Sequence, residues 1–379
     1  MKTWITRMWK KMAKKERLRP LLALLLAIMF GAAATGGCSS PTSEAPAPET
    51  AEENQEPAPS PEPQPEPEPE LDPEPEAYLP LTGKGVDADD PRLNRRALAV
   101  KIENTAASRP SQGLIHADVV YETLTEGGIT RFCAIFHSDV PDEAGPVRSA
   151  RNSDISIIPQ YGALFVYSGS NATVREQMAG IITDYISEGN AGSSFYRVKH
   201  KVAPHNLYFD PKLGFERFEA MGCELDTPPN GLDFGDYDTE SPGAGRATEI
   251  FVPFSAAEFD VTWKYDANTG VYLRYIAGVE QVDETDGTKQ LSAENVVLLS
   301  ASYTSATYIE GRGQTYNLKL NGEGDAIIFR DGVRIEATWH TDGTRPHAFK
   351  DAGGKPILLK PGKTWFQVPY DISVVEVIE

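Results

Sequence analysis

Cysteine is scarce: Cys38, Cys133 and Cys223 are the only three in 379 residues. That excludes the disulfide framework of a small secreted domain. Cys133 and Cys223 are expected to stay unpaired, with Cys133 buried. Paired-cysteine zinc spacings are absent, and so is His-Glu-x-x-His, so no metal centre is expected. Gly-x-Ser-x-Gly, a Ser-x-x-Lys in the body, a Walker loop and Gly-x-Gly-x-x-Gly are missing too. The common hydrolase, NTPase and dinucleotide chemistries therefore lack their residues, and no cofactor is expected. Basic residues are short as well. Lys and Arg number 36 against 55 Asp and Glu, a formal charge of −19, which excludes the basic footprint of a nucleic-acid binder.

Long apolar runs are also missing. The longest, Leu21 to Ala34, falls short of the roughly 20 residues that span a bilayer. Before it stand Lys2, Arg7, Lys10, Lys11, Lys14, Lys15, Arg17 and Arg19 against Glu16; after it comes Thr35-Gly-Gly-Cys38. A basic region, a short apolar core and small residues make a secretory signal. Small residues followed by Cys resemble a bacterial lipobox, with Thr35 where an aliphatic residue is usual. The resemblance implies that 1–37 are removed and that the Cys38 thiol takes a diacylglycerol as a thioether. Acyl chains buried at about 0.8 kcal/mol per methylene then anchor the chain to the membrane from the extracytoplasmic face.

Removing 1–37 takes away eight basic residues and one acidic one, moving the formal charge from −19 to −26. Residues 41–76 hold twelve acidic residues, twelve prolines and no basic residue. Such a segment buries no apolar surface and repels itself, so 38–79 is expected as a disordered linker. In polyproline II at about 3.1 Å per residue it reaches about 110 Å. The body that starts near Pro80 keeps a charge near −14.

About 300 residues suggest two domains. The Pro/Gly-rich shift at 226–246 places them at 80–230 and 247–379. The fold class is α+β: a mixed α/β N-terminal domain, then a β-rich C-terminal domain. Ala97–Glu103, Asp118–Leu124, Ile129–His137 and Ala163–Tyr167 read as strands, Pro146–Ile158 and Ala172–Ile182 as helices. Beyond 247 the strand candidates are Phe251–Phe254, Val261–Tyr265, Val271–Ile276, Val296–Tyr303, Tyr316–Leu320, Ala326–Phe329, Arg334–Trp339 and Trp365–Val368.

Several motifs recur in order: Ala97-Leu-Ala-Val-Lys-Ile-Glu-Asn104, Ser108-Arg-Pro-Ser-Gln-Gly-Leu114, Ala117-Asp-Val-Val-Tyr-Glu122, Glu126-Gly-Gly-Ile-Thr-Arg131, Gly145-Pro-Val-Arg-Ser-Ala-Arg151 and Ala203-Pro-His-Asn-Leu-Tyr208, with Asn295-Val-Val and Pro361-Gly-Lys-Thr-Trp365 later. Together they closely resemble the YerB-type lipoproteins. The resemblance covers the chain from Pro80 onward. It implies a two-domain envelope lipoprotein whose domains carry no established reaction.

The candidate site residues are Arg109, Glu122, Glu126, Arg131, Arg148, Arg151, Arg197, His205 and Asn206. A two-residue turn at Gly127-Gly128 pairs Tyr121 with Ala134 and puts Glu122 and Arg131 on one face. Arg148 and Arg151, three apart near a helix start, suit an oxyanion, since arginine forks and free helix N–H groups both favour one. Structural ion pairs explain the same residues equally well. Arg197, Lys199, His200, Lys201 and His205 form one basic stretch, with Asn206 on the turn after Pro204. No catalytic residue is assigned. The reading is a non-catalytic, lipid-anchored envelope protein that binds an anionic ligand, with a cell-wall protein or anionic glycan as partner. The alternative is an envelope enzyme acting on a phosphate-bearing wall or lipid-linked glycan. Replacing Cys38 with Ala is expected to abolish fatty-acid labelling and leave the precursor uncleaved; labelling that persists would remove Cys38 as the acceptor.

Overall fold

The computed structural model describes residues 74–238, 244–309 and 313–379. Cys38, the signal segment and the linker up to residue 73 lie outside them. No described helix is long and apolar enough to cross a membrane. Leu71 to Glu379 gather as one compact unit.

Fourteen strands set the frame: β1 (Leu98–Glu103), β2 (Val119–Leu124), β3 (Thr130–Phe136), β4 (Leu164–Val166), β5 (Tyr185–Ile186), β6 (Glu249–Val252), β7 (Val261–Asp266), β8 (Val271–Ile276), β9 (Asn295–Leu299), β10 (Ser302–Ile309), β11 (Gly313–Lys319), β12 (Gly322–Arg330), β13 (Val333–Thr341) and β14 (Thr364–Val368). The helices are α1 (Asn152–Tyr161), α2 (Ala172–Met178) and α3 (Pro211–Ala220). Helices are few and the second half is rich in strands, the α+β class expected. The main sheet runs Pro356–Ile357, Ala348–Lys350, β13, β12, β9, β14, β2, β3, β1, β4, β5, with Ala244–Arg246 beside β13. Its centre joins β14 of the second half to β2 of the first, in parallel. The shift at 226–246 therefore divides the sequence without dividing this sheet. A smaller sheet holds Val279–Glu280, β8, β7, β6 and Glu376–Ile378.

Strands β1, β2 and β3 are buried at every position, as strands covered on both faces must be. On one face Tyr121, Cys133 and Ile135 pack with Ile157, Ile158 and Tyr161 of α1. On the other, Val120, Phe132 and Ala134 pack with Ile250, Trp263 and Tyr272 of the smaller sheet. Both cysteines are free.

Two local expectations are corrected. The β2–β3 hairpin pairs Tyr121 with Cys133 and Glu122 with Phe132, one residue away from the expected register. Thr125 N–H donates to the Ile129 carbonyl, so three residues, Glu126 to Gly128, make the turn, with φ of 69° and 75° at Gly127 and Gly128. One extra turn residue moves every partner by one. Thr123 now opposes Arg131, and Glu122 and Arg131 point to opposite faces. The second correction is α1, which starts at Asn152 rather than Pro146 and runs past Pro159 to Tyr161. Residues 146–151 are held extended: Val147 N–H donates to the Leu207 carbonyl and Arg148 N–H to the Lys101 carbonyl. The Arg151 N–H is capped by Asp154 at 2.6 Å, and Asp154 also meets the Lys101 ammonium at 2.6 Å, both fully buried. Gly162, left-handed at φ 59°, ends the helix. Likewise α2 stops at Met178, short of Ile182, with Gly180 at φ 78° just beyond.

Glu122 finds its partner in the second half. Arg274 of β8 shares its inner face with Tyr272 and Ile276. Its guanidinium donates to Glu122 at 2.7 Å and to Gln281 at 2.7 Å. Around it stand Trp365, Trp263 and Phe132, with ring centroids 4.5, 5.1 and 5.6 Å away. Glu122 also accepts from Thr130 and Asn104. Breaking such a pair on one side costs about 3–5 kcal/mol. Arg274→Met is expected to lose that much in denaturant unfolding, and adding Glu122→Gln to cost less than the sum of the two single losses. Additive losses would show that the pair does not act as a unit.

Candidate functional site

Strands β9, β14, β2, β1, β4 and β5 all run in one direction, with β3 and β12 set against them. In open sheets of this kind ligands sit outside the carboxyl ends of the strands. Glu103 is the last residue of β1, Glu126 lies in the turn after β2, and Arg131 is the second residue of the antiparallel β3, so all three stand at that edge. The extended stretch before α1 adds Arg148 and Arg151. The loop ahead of Leu207–Phe209 adds His205.

Two carboxylates hold the arginines. Glu126 receives Arg151 through Nε at 2.6 Å and through a second, very short bond from Nη2. Arg131 Nη2 donates to the same carboxylate at 3.2 Å. The third nitrogen of Arg151 bonds the Ala150 carbonyl at 2.7 Å, so all three guanidinium nitrogens of Arg151 have partners within the fold. Glu103 Oε1 accepts Arg148 Nη2 at 2.8 Å and the Thr105 hydroxyl at 2.9 Å, and meets His205 Nδ1 at 2.9 Å. Three buried atoms remain without a protein partner: Arg131 Nε, Arg148 Nε and Glu103 Oε2.

Charge follows from this arrangement. Three arginines face two carboxylates, leaving one net positive charge before His205 is counted. Burial, with Arg151 and then Arg148 nearby, pulls Arg131 down to about 9. Burial on its own would raise Glu126, but the Arg151 hydrogen bond and the charges of Arg131 and Arg151 outweigh it and hold the carboxyl at about 2.

The other sequence candidates lie elsewhere. Arg109 sits across the sheet: its Nη2 donates to the Asn104 carbonyl at 2.7 Å and the Glu258 carbonyl at 2.8 Å, and its guanidinium lies 5.5 Å from the Phe259 ring centroid. Burial lowers its pKa. It belongs with Glu122 and Asn104 to the interior network around Arg274. Arg197 and Asn206 bond each other at 2.9 Å and staple their own loop. Lys201 and His200 are taken up by Glu284. Arg148 and Arg151, expected on one helix face, both precede the helix body and serve different carboxylates. Glu103 was missed, although the Lys-Ile-Glu-Asn motif contains it. Arg274 was missed too, although it alternates in register with Tyr272 and Ile276. Among the described residues no cluster of three metal-ligating side chains occurs. Clefts of about 540 and 530 Å³ open around Tyr237 and Leu358, and around Tyr78 and Phe234, away from the arginines.

The Glu126 pKa has a sign that can be checked. With its folded value below the ordinary 4.5, Glu126 stabilises the fold at neutral pH, and that contribution fades as pH falls through 4.5 towards 2. A shift of this size corresponds to about 3 kcal/mol. Glu126→Gln is expected to be less stable at pH 7 and to lose less stability than the native chain between pH 7 and pH 3. An unchanged acid slope would show that Glu126 does not carry this term.

Two family models match in order: a protein of unknown function (DUF3048) N-terminal domain over residues 81–222, and its C-terminal domain over 250–366. A relative, putative lipoprotein YerB of Bacillus subtilis (strain 168), is 30% identical over 299 residues, covering 79% of this chain and 88% of the relative. The crystal structure of YerB protein from Bacillus subtilis aligns with a TM-score of 0.70 at 28% identity, covering 80% of this chain and 100% of that one. Both domain models in sequence order, which together match more than half of the chain, place it in the DUF3048 family, with the 30% identical YerB lipoprotein as a relative.

Proposed function

We propose that this protein is a lipid-anchored, extracytoplasmic binding protein whose ligand is an anion held at the carboxyl edge of the main sheet. The signal, the lipobox-like Cys38 and the Pro/Glu tether support the location, as does the lipoprotein name of the Bacillus relative. One observation carries the ligand reading. Arg131 and Arg148 keep their Nε donors free of protein acceptors at a spot with excess positive charge. Buried donors in native proteins find partners, and an oxyanion supplies them with charge-assisted bonds of about 1.5–3 kcal/mol. The β-rich second half, with its exposed Tyr370 and Val279, serves as the interaction module for a wall protein or glycan.

A second reading rests on His205, whose ring meets a buried carboxylate, as a general base does. In that reading the protein acts on a phosphate-bearing wall or lipid-linked glycan. Among the described residues no nucleophile stands at hydrogen-bond distance from His205 beyond Thr105 at 3.4 Å, so binding is preferred.

The arginines separate by role. Arg148→Gln is expected to weaken phosphate binding about ten- to hundredfold in calorimetry. Its unfolding cost is smaller than that of Arg151→Gln, because Glu103 keeps Thr105 and His205 while Glu126 keeps only Arg131. If Arg148→Gln binds phosphate like the native protein, the arginine edge is not the site. If it melts below Arg151→Gln, Arg148 is a structural residue.

A further inference from the structure

The position of Glu103 narrows the ligand class. A simple oxyanion on Arg131 and Arg148 also approaches the Glu103 carboxylate, which is 1% exposed and close enough to raise the Arg131 pKa. Like charges at that distance oppose binding. Three groups are already gathered on Glu103 Oε1, namely Arg148, Thr105 and His205, while Oε2 is buried without a protein donor. A buried carboxyl oxygen so placed needs a hydrogen-bond partner. The edge thus offers two buried arginine donors without protein acceptors and, on the same carboxylate that anchors Arg148, one acceptor.

We infer that the ligand is an oxyanion ester carrying a free hydroxyl on a neighbouring carbon, that is, a polyol phosphate. The phosphate oxygens accept from Arg131 Nε and Arg148 Nε, and the hydroxyl donates to Glu103 Oε2. This rests on the anion-site reading above and adds the hydroxyl requirement. An ammonium would satisfy Glu103 as well, but it would stand beside the Arg148 guanidinium already bound to the same carboxylate, a like-charge contact that a neutral hydroxyl avoids. Inorganic phosphate fills the arginine half and can offer Oε2 only a P–OH on the same phosphorus, not a hydroxyl on a neighbouring carbon. The arginines come from two elements, β3 and the stretch before α1, and each offers a single Nε donor rather than a two-pronged fork, which suits separate oxygens of a tetrahedral group.

The test is calorimetry on the mature chain with three probes: sn-glycerol 1-phosphate, inorganic phosphate and O-phosphoethanolamine. Glycerol phosphate is expected to bind at least tenfold tighter than inorganic phosphate and tighter than phosphoethanolamine. Glu103→Gln, checked for folding by its melting curve, is expected to erase the preference over inorganic phosphate. If glycerol phosphate and inorganic phosphate bind the native chain equally, the hydroxyl requirement is wrong while the anion site stands. If phosphoethanolamine binds tightest, Glu103 reads an ammonium and the polyol assignment is overturned. If none of the three binds at millimolar concentration, the anion site itself fails. The comparison among probes is made on the native protein, so it holds even if the variant does not fold.

Discussion

Glu122 and Arg274 stand 152 residues apart, and both are fully buried. Neither charge is tolerable there alone, because a lone ion in a low-dielectric interior costs several kcal/mol. Each half of the chain therefore depends on the other to neutralise it. The three rings around Arg274 shield the pair from water and stack on the guanidinium. Trp365 in that cage belongs to β14, the strand that pairs in parallel with β2, on which Glu122 lies. The ion pair, the cage and the strand junction are thus one feature that docks the smaller sheet over the main one.

The proposed binding edge follows from that junction. With β2 locked between β14 and β3, the turn Glu126–Gly128 sits at the carboxyl end of the sheet, and Glu126 meets Arg131 and Arg151. The opposite face of the same strands is filled by Glu122, Asn104 and Arg109. Side chains one residue apart in β2 and β3 consequently do opposite jobs. Those facing the smaller sheet join the interior network, while on the α1 face Tyr121, Cys133 and Ile135 form core and Arg131 reaches Glu126 in the turn.

Much of this was legible in the sequence. Most strands of the second half appear close to their expected positions because alternation and turns such as Asp331-Gly332 mark them locally, but Val296–Tyr303, expected as one strand, is two, Asn295–Leu299 and Ser302–Ile309. The hairpin at Gly127-Gly128 was legible as a hairpin but not in its register, since the Thr125–Ile129 closure adds one residue that two glycines do not reveal. Arg148 and Arg151 were identified as a pair, yet their environment depends on partners at Lys101, Glu103 and Leu207, and contacts of that sequence separation leave no periodic trace. Arg274 was readable in principle: an arginine alternating with Tyr272 and Ile276 must face the core and needs an acid there.

An anion edge that uses Arg131 and Arg148 through their Nε atoms makes a geometric claim. The most direct measurement is a crystal structure of the body grown or soaked in phosphate. The expected result is an oxyanion within hydrogen-bond distance of both Arg131 Nε and Arg148 Nε, with Arg151 unchanged on Glu126. A structure in which both Nε atoms bond ordered water or protein acceptors, with phosphate absent from the edge, would contradict the account.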